Sequence, residues 1–312
     1  MWIRTILSLA VFSPMALFAA EPAPLKLFDG ETSFGWKITG DSKIADGTMI
    51  LGPKATTAEL TTTLPAGEVL LAYTLRDGKA SVLGNELPGN KTNIIKIPVK
   101  GSRVIFTVDV GEMVISKLNY IPSTGTSLFN GKDLTGWKVF PDRKSKFTVT
   151  PEGWLNVQDG PGDLQTTEQY ADFLFQTECI SNGKWLNSGI FFRGIPNQYQ
   201  QGYEAQIRNQ WVGTDRKVPF DFGTGAIYRR QPARKVVSTD NEWFTLTLIA
   251  EGNHMATWVN GIQVTDFTDD RPAKDNGRQG SKTSAGVLSI QGHDPTTNLS
   301  FRNMRVVPFP AK

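Results

Sequence analysis

The sequence predicts an all-β protein made of two β-sandwich units in tandem, the second larger than the first. Three observations carry this expectation. Apolar and polar residues alternate in short runs, as in strands with one face in a core, and the 3.6-residue helical period is almost absent. Clusters of Gly, Pro, Asn and Asp separate those runs at the spacing of a sandwich or jelly roll. One decapeptide also recurs: LFDGETSFGW at Leu27–Trp36 and LFNGKDLTGW at Leu128–Trp137 keep Leu, Phe, Gly, Gly and Trp in register. A match of that length ending in Trp, a rare residue, marks an internal repeat.

The first twenty residues, MWIRTILSLAVFSPMALFAA, have the form of a secretory signal: Arg4 near the start, an apolar run, then Ala19 and Ala20. The run is too short for a membrane span and is broken by Pro14. The mature chain is therefore expected to start at about Ala20 or Glu21 and to be periplasmic or secreted. Cys179 is the only cysteine, so no internal disulfide is possible. In DFLFQTECI it alternates with Phe173 and Phe175 and reads as a small core residue. The net charge of +3, one less once Arg4 is removed, is too small to imply nucleic acid or an acidic membrane as partner.

The first unit, residues 21–124, offers strands at Glu68–Leu75, Asn93–Val99 and Arg103–Val110. It has no His and few clustered acids facing one way, and reads as a packing or spacer domain, with a sugar-binding module as the alternative. Tyr120–Ser127, with Pro122 and Gly125, reads as the linker, and residues 125–312 are expected to fold alone. In that second unit, Phe244–Ile249 alternates, turns through Glu251–His254 and returns as Met255–Val259. Asn260-Gly261 then makes a tight hairpin into Ile262–Thr265. His254, in a turn, reads as exposed.

Alternation also sorts the strand faces. In SGIFFRG, Ile190 and Phe192 point inward, leaving Phe191 and Arg193 outward. In GYEAQIR, Tyr203, Ala205 and Ile207 are the apolar set, and Glu204, Gln206 and Arg208 the polar one. In GVLSIQG, Leu288 and Ile290 point inward, and Ser289 and Gln291 outward. If these outward faces share a sheet, Arg193, Glu204, Gln206 and Gln291 converge. Planar polar groups beside aromatics suit a carbohydrate. The plainer reading is a cross-strand Arg193–Glu204 ion pair with solvated glutamines. His293 leaves its strand through Gly292, and Asp294-Pro295 fixes a turn that puts a carboxylate beside the imidazole. Glu178, outward in QTECI, is the candidate for a second acid. Glu204, Asp270, His293 and Asp294 are possible metal ligands, but no spacing demands a metal and no motif names a cofactor.

Several blocks occur in the order of a known family: LFNGKDLTGW, GDLQTTEQYADF, NSGIFFRG, QGYEAQI, TGAIYRR, NEWFTLTLIAEGNHMATWVNGIQV and IQGHDPTTNLSFRNMRV. The chain resembles the 3-keto-disaccharide (3-keto-glucoside) hydrolase domain over about Thr126–Pro308, and the 27–36 opener resembles a shortened copy. The resemblance implies a concanavalin A-like lectin/glucanase jelly roll. It also implies action on glycosides whose carbon 3 has been oxidised by a separate oxidoreductase. By position it implies cleft residues Arg193, Glu204, Gln206, Gln291 and His293. Many members carry an aspartate just before that histidine. Here the place is Gly292, and Asp294 follows instead.

A ketone at carbon 3 acidifies the proton on carbon 2, so a base can remove it and the resulting enolate can expel the group on carbon 1. Such a site needs a base, an acid and donors for the enolate oxygen. Glu204 and His293 are the candidate catalytic pair with roles open. Arg193, Gln206, Gln291, Asp294 and Glu178 are candidate substrate-binding groups. Two-carboxylate hydrolysis is the competing mechanism. A lectin-like glycan-binding module and a structural envelope protein are the competing functions.

Overall fold

A computed structural model describes residues 21–89 and 91–310, and the expected signal at 1–20 lies outside the described residues. All regular structure among the described residues is β. The first unit contains β1 (Leu25–Lys26), β2 (Trp36–Thr39), β3 (Ser42–Ala45), β4 (Thr48–Leu51), β5 (Thr56–Leu60), β6 (Gly67–Val82), β7 (Asn85–Glu86), β8 (Thr92–Val99) and β9 (Ile105–Pro122). The second begins with β10 (Thr126–Ser127), β11 (Trp137–Val139), β12 (Lys146–Val149), β13 (Leu155–Gln158), β14 (Gly162–Tyr170), β15 (Phe173–Ser181) and β16 (Ser188–Gly194). It continues with β17 (Tyr203–Ile207), β18 (Phe244–Glu251), β19 (His254–Val259), β20 (Ile262–Thr268), β21 (Gly286–Gly292) and β22 (Asn298–Pro308).

The repeated decapeptide folds the same way twice. Trp36 Nε1 donates to the Leu27 carbonyl at 2.6 Å, and Trp137 Nε1 donates to that of Leu128 at 2.6 Å. Asp29 caps the amides of Glu31 and Thr32, as Asn130 caps those of Lys132 and Asp133. The repeat runs further than the sequence suggested. The pairings β1–β9, β2–β5, β3–β4, β4–β9 and β6–β9 reappear as β10–β22, β11–β14, β12–β13, β13–β22 and β15–β22. Both fourth strands are followed by a cis Gly-Pro, Gly52-Pro53 and Gly160-Pro161. The copies part after the fifth strand: β14 leads on to β21, whereas β5 pairs directly with β9. The first unit therefore lacks the sheet on which the second builds its polar face.

The second unit is a two-sheet jelly-roll sandwich. Its front sheet runs β11-β14-β21-β16-β17. Its back sheet runs β12-β13-β22-β15-β18-β19-β20. Between them lie the side chains that alternation sent inward: Ile190, Phe192, Tyr203, Ala205, Ile207, Leu288 and Ile290 from the front, and Phe175, Cys179 and Leu248 from the back. Asn260 and Gly261 both take positive φ, as a two-residue turn of this hand requires.

The core of the first unit does not close on itself. Beside Leu51, Leu71 and Phe106 it holds Leu174, Ile249, Ala256, Trp258 and Val307 from the outer face of the second unit's back sheet. Polar groups seal the seam: Lys26 pairs with Ile262, Trp258 Nε1 donates to the Lys26 carbonyl at 3.2 Å, and Arg234 meets Asp29 at 2.6 Å. His254, expected to be exposed, is part of this seam. Its Nε2 lies 3.0 Å from Asp266 and 3.2 Å from Thr62 of the first unit. The linker is also shorter than expected. Tyr120 is buried at the end of β9, its hydroxyl bonded to the carbonyls of Pro65 and Ala66, which leaves only residues 123–125 between strands. The expected strands 68–75 and 103–110 extend far further, to Val82 and Pro122. Gly78 and Gly111 break the alternation there but form bulges rather than turns, because their missing side chains let the two backbones close on each other.

Residues 125–312 expressed alone would expose the five apolar side chains that the first unit covers. That fragment is expected to melt below the full chain and to bind a hydrophobic dye. An equal melting temperature without dye binding would show that the shared core contributes nothing.

Candidate active site

The outward face of the front sheet forms two adjacent rows. One reads Gln165, Ser289, Phe191, Glu204, and the next Asp163, Gln291, Gly189, Gln206. This is the period-2 pattern of four strands brought into register. Above it lies a cleft of about 260 Å³ lined by Asn187, Gln200, Glu204, Gln206, Gln291 and His293, among others. The structure thus brings together four of the residues that sequence pointed to: Glu204, Gln206, Gln291 and His293.

Glu204 is covered from three sides. The segment 224–228 lies along the edge of β17, with Gln206 N donating to the Ala226 carbonyl at 3.0 Å and Tyr228 N to that of Glu204 at 2.9 Å. Gly189, the partner of Gln206 on β16, lies diagonal to it, and a Cβ there would stand 2.5 Å from Glu204 Oε1, so only glycine lets the carboxyl lie across that strand. Arg278 covers neighbouring Phe191, 5.3 Å from its ring centre. Burial pushes the Glu204 carboxyl up to about 8, against the pull of Arg278 and Arg229. At neutral pH this group holds its proton.

His293 sits at the end of β21. Its Nδ1 is 2.8 Å from Asp294 Oδ2, and its Nε2 is 3.1 Å from Asn187 Nδ2. With Asn187 donating, Nε2 is the acceptor, and the proton of the neutral ring sits on Nδ1, donated to Asp294. Partial burial opposes ionisation of Asp294, but bonds from Thr296 and His293 outweigh it and hold the carboxyl below its usual range. Asp294 therefore orients the ring from behind, as the turn sequence implied. Asn187 Oδ1, Gln206 Oε1 and Gln291 Oε1 are buried acceptors without a hydrogen-bond partner among the described residues.

Two expected cleft residues lie elsewhere. Arg193 is fully buried. A register shift between Phe191 and Gly194 and a φ of 49° at Arg193 break the alternation that would have aimed it outward. Its guanidinium donates to the carbonyls of Ala171 (2.8 Å), Gly252 (2.6 Å) and Lys282 (2.8 Å) and to Asp172 (3.1 Å), tying three loops together. Glu178 is on β15 of the back sheet, bonded to Arg302 at 2.7 Å and Asn303 at 2.6 Å. Sequence reasoning missed Asp163, which is fully buried at the far end of the second row, with Gln165 and Gln200 donating to it. Burial raises its carboxyl. The signal was present, since Asp163 and Gln165 alternate about Leu164. It also missed Asn187, Arg229 and Arg278, which lie in segments without a period. Among the described residues no group of three or more His, Cys, Asp or Glu gathers as a metal site would require.

The comparisons decide the family. Residues 124–307 match the sequence profile of the 3-keto-alpha-glucoside-1,2-lyase-like domain. The chain belongs to this family. Among solved structures, it is similar to a protein from Parabacteroides distasonis described as a glycosyl hydrolase: 24% identity, TM-score 0.47, covering 60% of this chain and 94% of that one. It is similar also to a β-glucanase of Bacillus licheniformis: 14% identity, TM-score 0.39, covering 60% and 97%. No curated protein matches the chain. The matched segment is the jelly-roll unit, and it contains every cleft residue named above.

Two predictions follow from the burial. The folded state binds the Glu204 proton between the ordinary value of 4.5 and about 8, whereas the unfolded state releases it. Stability contributed by this group therefore falls as pH rises through that window. Glu204→Gln should stabilise the protein at pH 8 by a few kcal/mol, at roughly 1.4 kcal/mol per pK unit, with the gain vanishing towards pH 4.5. Denaturant melts at both pH values check this. Arg193→Ala removes the charge that holds three loops and should cost about 3–5 kcal/mol, read as a fall in melting temperature.

Proposed function

We propose that the protein cleaves 3-keto-glycosides by elimination across carbons 1 and 2, followed by hydration. The observation that carries this reading is the pairing, in one cleft, of a carboxyl that keeps its proton at neutral pH with an imidazole backed by a carboxylate. Elimination needs such a pair. Asn187 Nδ2 turns from His293 Nε2 to the incoming sugar, and the freed Nε2 takes the proton from carbon 2 as the electron pair moves toward the carbon 3 ketone. The bond from carbon 1 to the leaving oxygen breaks as Glu204 gives that oxygen its proton. The aglycone leaves as an alcohol, and the sugar remains as an enone with a carbon 1–carbon 2 double bond. Water then adds its oxygen to carbon 1, Glu204 recovers a proton from it, and His293 returns one to carbon 2.

The side-chain carbonyl oxygens of Gln206, Gln291 and Asn187, buried and without a partner among the described residues, stand ready to accept from sugar hydroxyls. The competing two-carboxylate mechanism fits less well. The buried carboxyls of this face, Asp163 on β14 and Glu204 on β17, are separated by three strand gaps, or about 14 Å, whereas paired carboxyls in glycosidases lie about 5–9.5 Å apart. In this reading a separate oxidoreductase supplies the ketone, and the signal-like sequence of residues 1–20 supports a periplasmic or extracellular reaction.

The test is incubation with 3-keto-trehalose, 3-keto-lactose and the unoxidised parents. The expected result is release of 3-keto-glucose from the oxidised sugars only. Glu204→Gln and His293→Ala should each lower turnover by about 10²–10⁴-fold with the fold intact. Near wild-type turnover in both variants would move the chemistry off this face, and binding without turnover by the wild type would make the domain a lectin.

A further inference from the structure

Behind Glu204 the cleft continues into a smaller pocket of about 90 Å³, and three arginines, Arg229, Arg230 and Arg278, line it. Glu204, Tyr228, Arg229 and Arg278 line both cavities, so these two guanidinium groups form the wall between them. Arg229 takes a φ of 58° in the turn at 227–231, a left-handed position that a non-glycine residue occupies at a cost. Arg230 staples that turn to the facing loop, donating to the carbonyl of Arg229 at 3.0 Å and to that of Arg278 at 2.7 Å. The fold thus fixes the backbone of the wall, and Arg229 and Arg278, both exposed residues, extend their guanidinium groups to the cleft from it.

Its charge is not matched. Among the described residues neither Arg229 nor Arg278 forms a salt bridge; each rests on a ring instead, Arg229 5.4 Å from the centre of Tyr228 and Arg278 5.3 Å from that of Phe191. Glu204 does not neutralise them at neutral pH, because it is protonated there. Asp269, the carboxylate on the far side of Tyr203, is already bonded to Arg271 at 2.8 Å. Asp221, whose charge also reaches Glu204, meets Gln206 and, among the described residues, forms no salt bridge with either arginine. Two guanidinium groups at a sugar cleft, with no carboxylate bonded to either, match an anion that arrives with the ligand.

We propose that the pocket behind Glu204 is a subsite for an anionic substituent of the glycoside, with Arg229 and Arg278 as its ligands and a sugar carboxylate as its occupant. The proposal rests on reading the cleft as a glycoside site. The carboxylate can belong to either half of the substrate, as in a uronic acid or an aldonic acid aglycone. A carboxylate there also lies close to Glu204 and raises the cost of ionising it, which helps keep the acid protonated until the leaving oxygen takes the proton.

Calorimetric binding to the full-length protein tests this without requiring turnover. Methyl β-glucuronide is compared with methyl β-glucoside, and lactobionate with lactitol, at low salt and at about 0.5 M salt. The acid of at least one pair should bind about tenfold tighter than its neutral partner, since charge-assisted bonds are at stake. The pair that shows the preference identifies which half of the substrate carries the carboxylate. The preference should collapse towards unity at high salt, and in Arg229→Gln and Arg278→Gln. No preference in either pair, or one that survives both substitutions, overturns the subsite. An enzyme that cleaves 3-keto-glycosides without a carboxylate preference would lose only this subsite. A carboxylate preference in a protein that cleaves no 3-keto-glycoside would uphold the subsite and overturn the reaction.

Discussion

The desolvation of one carboxyl governs the candidate site. Glu204 occupies an outward position on a sheet, where a carboxylate would ordinarily be solvated and ionised. It is buried because the segment 224–228 adds itself to the edge of β17 and because Gly189 leaves room beside it. Everything chemically useful follows from that cover. The proton stays on Glu204 at neutral pH, the arginines nearby stay unpaired, and the strand-end imidazole becomes the remaining base of the cleft. The fold bears a cost for this arrangement, since a buried carboxyl with a raised pKa weakens the folded state at neutral pH.

The tandem architecture explains where that cost is borne. Both units begin with the same Trp-closed loop and share five strand pairings, yet only the second builds a front sheet. The first unit pairs β5 directly with β9 instead, and packs its open core against Leu174, Ile249, Ala256, Trp258 and Val307. It acts as a brace on the back sheet, on the side of the sandwich opposite the cleft. A unit without a front sheet of its own thus supports the sheet against which the site-bearing sheet is packed.

Much of this was legible in the sequence because a β-sandwich obeys a period of two. Alternation found the inward residues of β16, β17 and β21 and pointed to Glu204, Gln206 and Gln291 on the opposite face. The Gly292–Pro295 turn pointed to the His293–Asp294 contact. Reading failed where the period fails. The bulge after Phe191 turned Arg193 inward, and the expected strands 68–75 and 103–110 stop short of the bulges at Gly78 and Gly111, beyond which the strands continue. Glu178 was correctly set facing away from its core but on the wrong sheet, because alternation gives a side and not a sheet. Arg229, Arg278 and Asn187 come from irregular segments, whose placement depends on backbone hydrogen bonds that no local pattern encodes.

The central claim is the proton on Glu204, and a carbon-13 NMR titration of its side-chain carboxyl tests it most directly. Assigned by its loss in Glu204→Gln, the resonance should titrate with a midpoint of about 8. A midpoint near 4.5, the ordinary value for glutamate, would show an ionised and solvated carboxylate, and the cleft would then lack its acid.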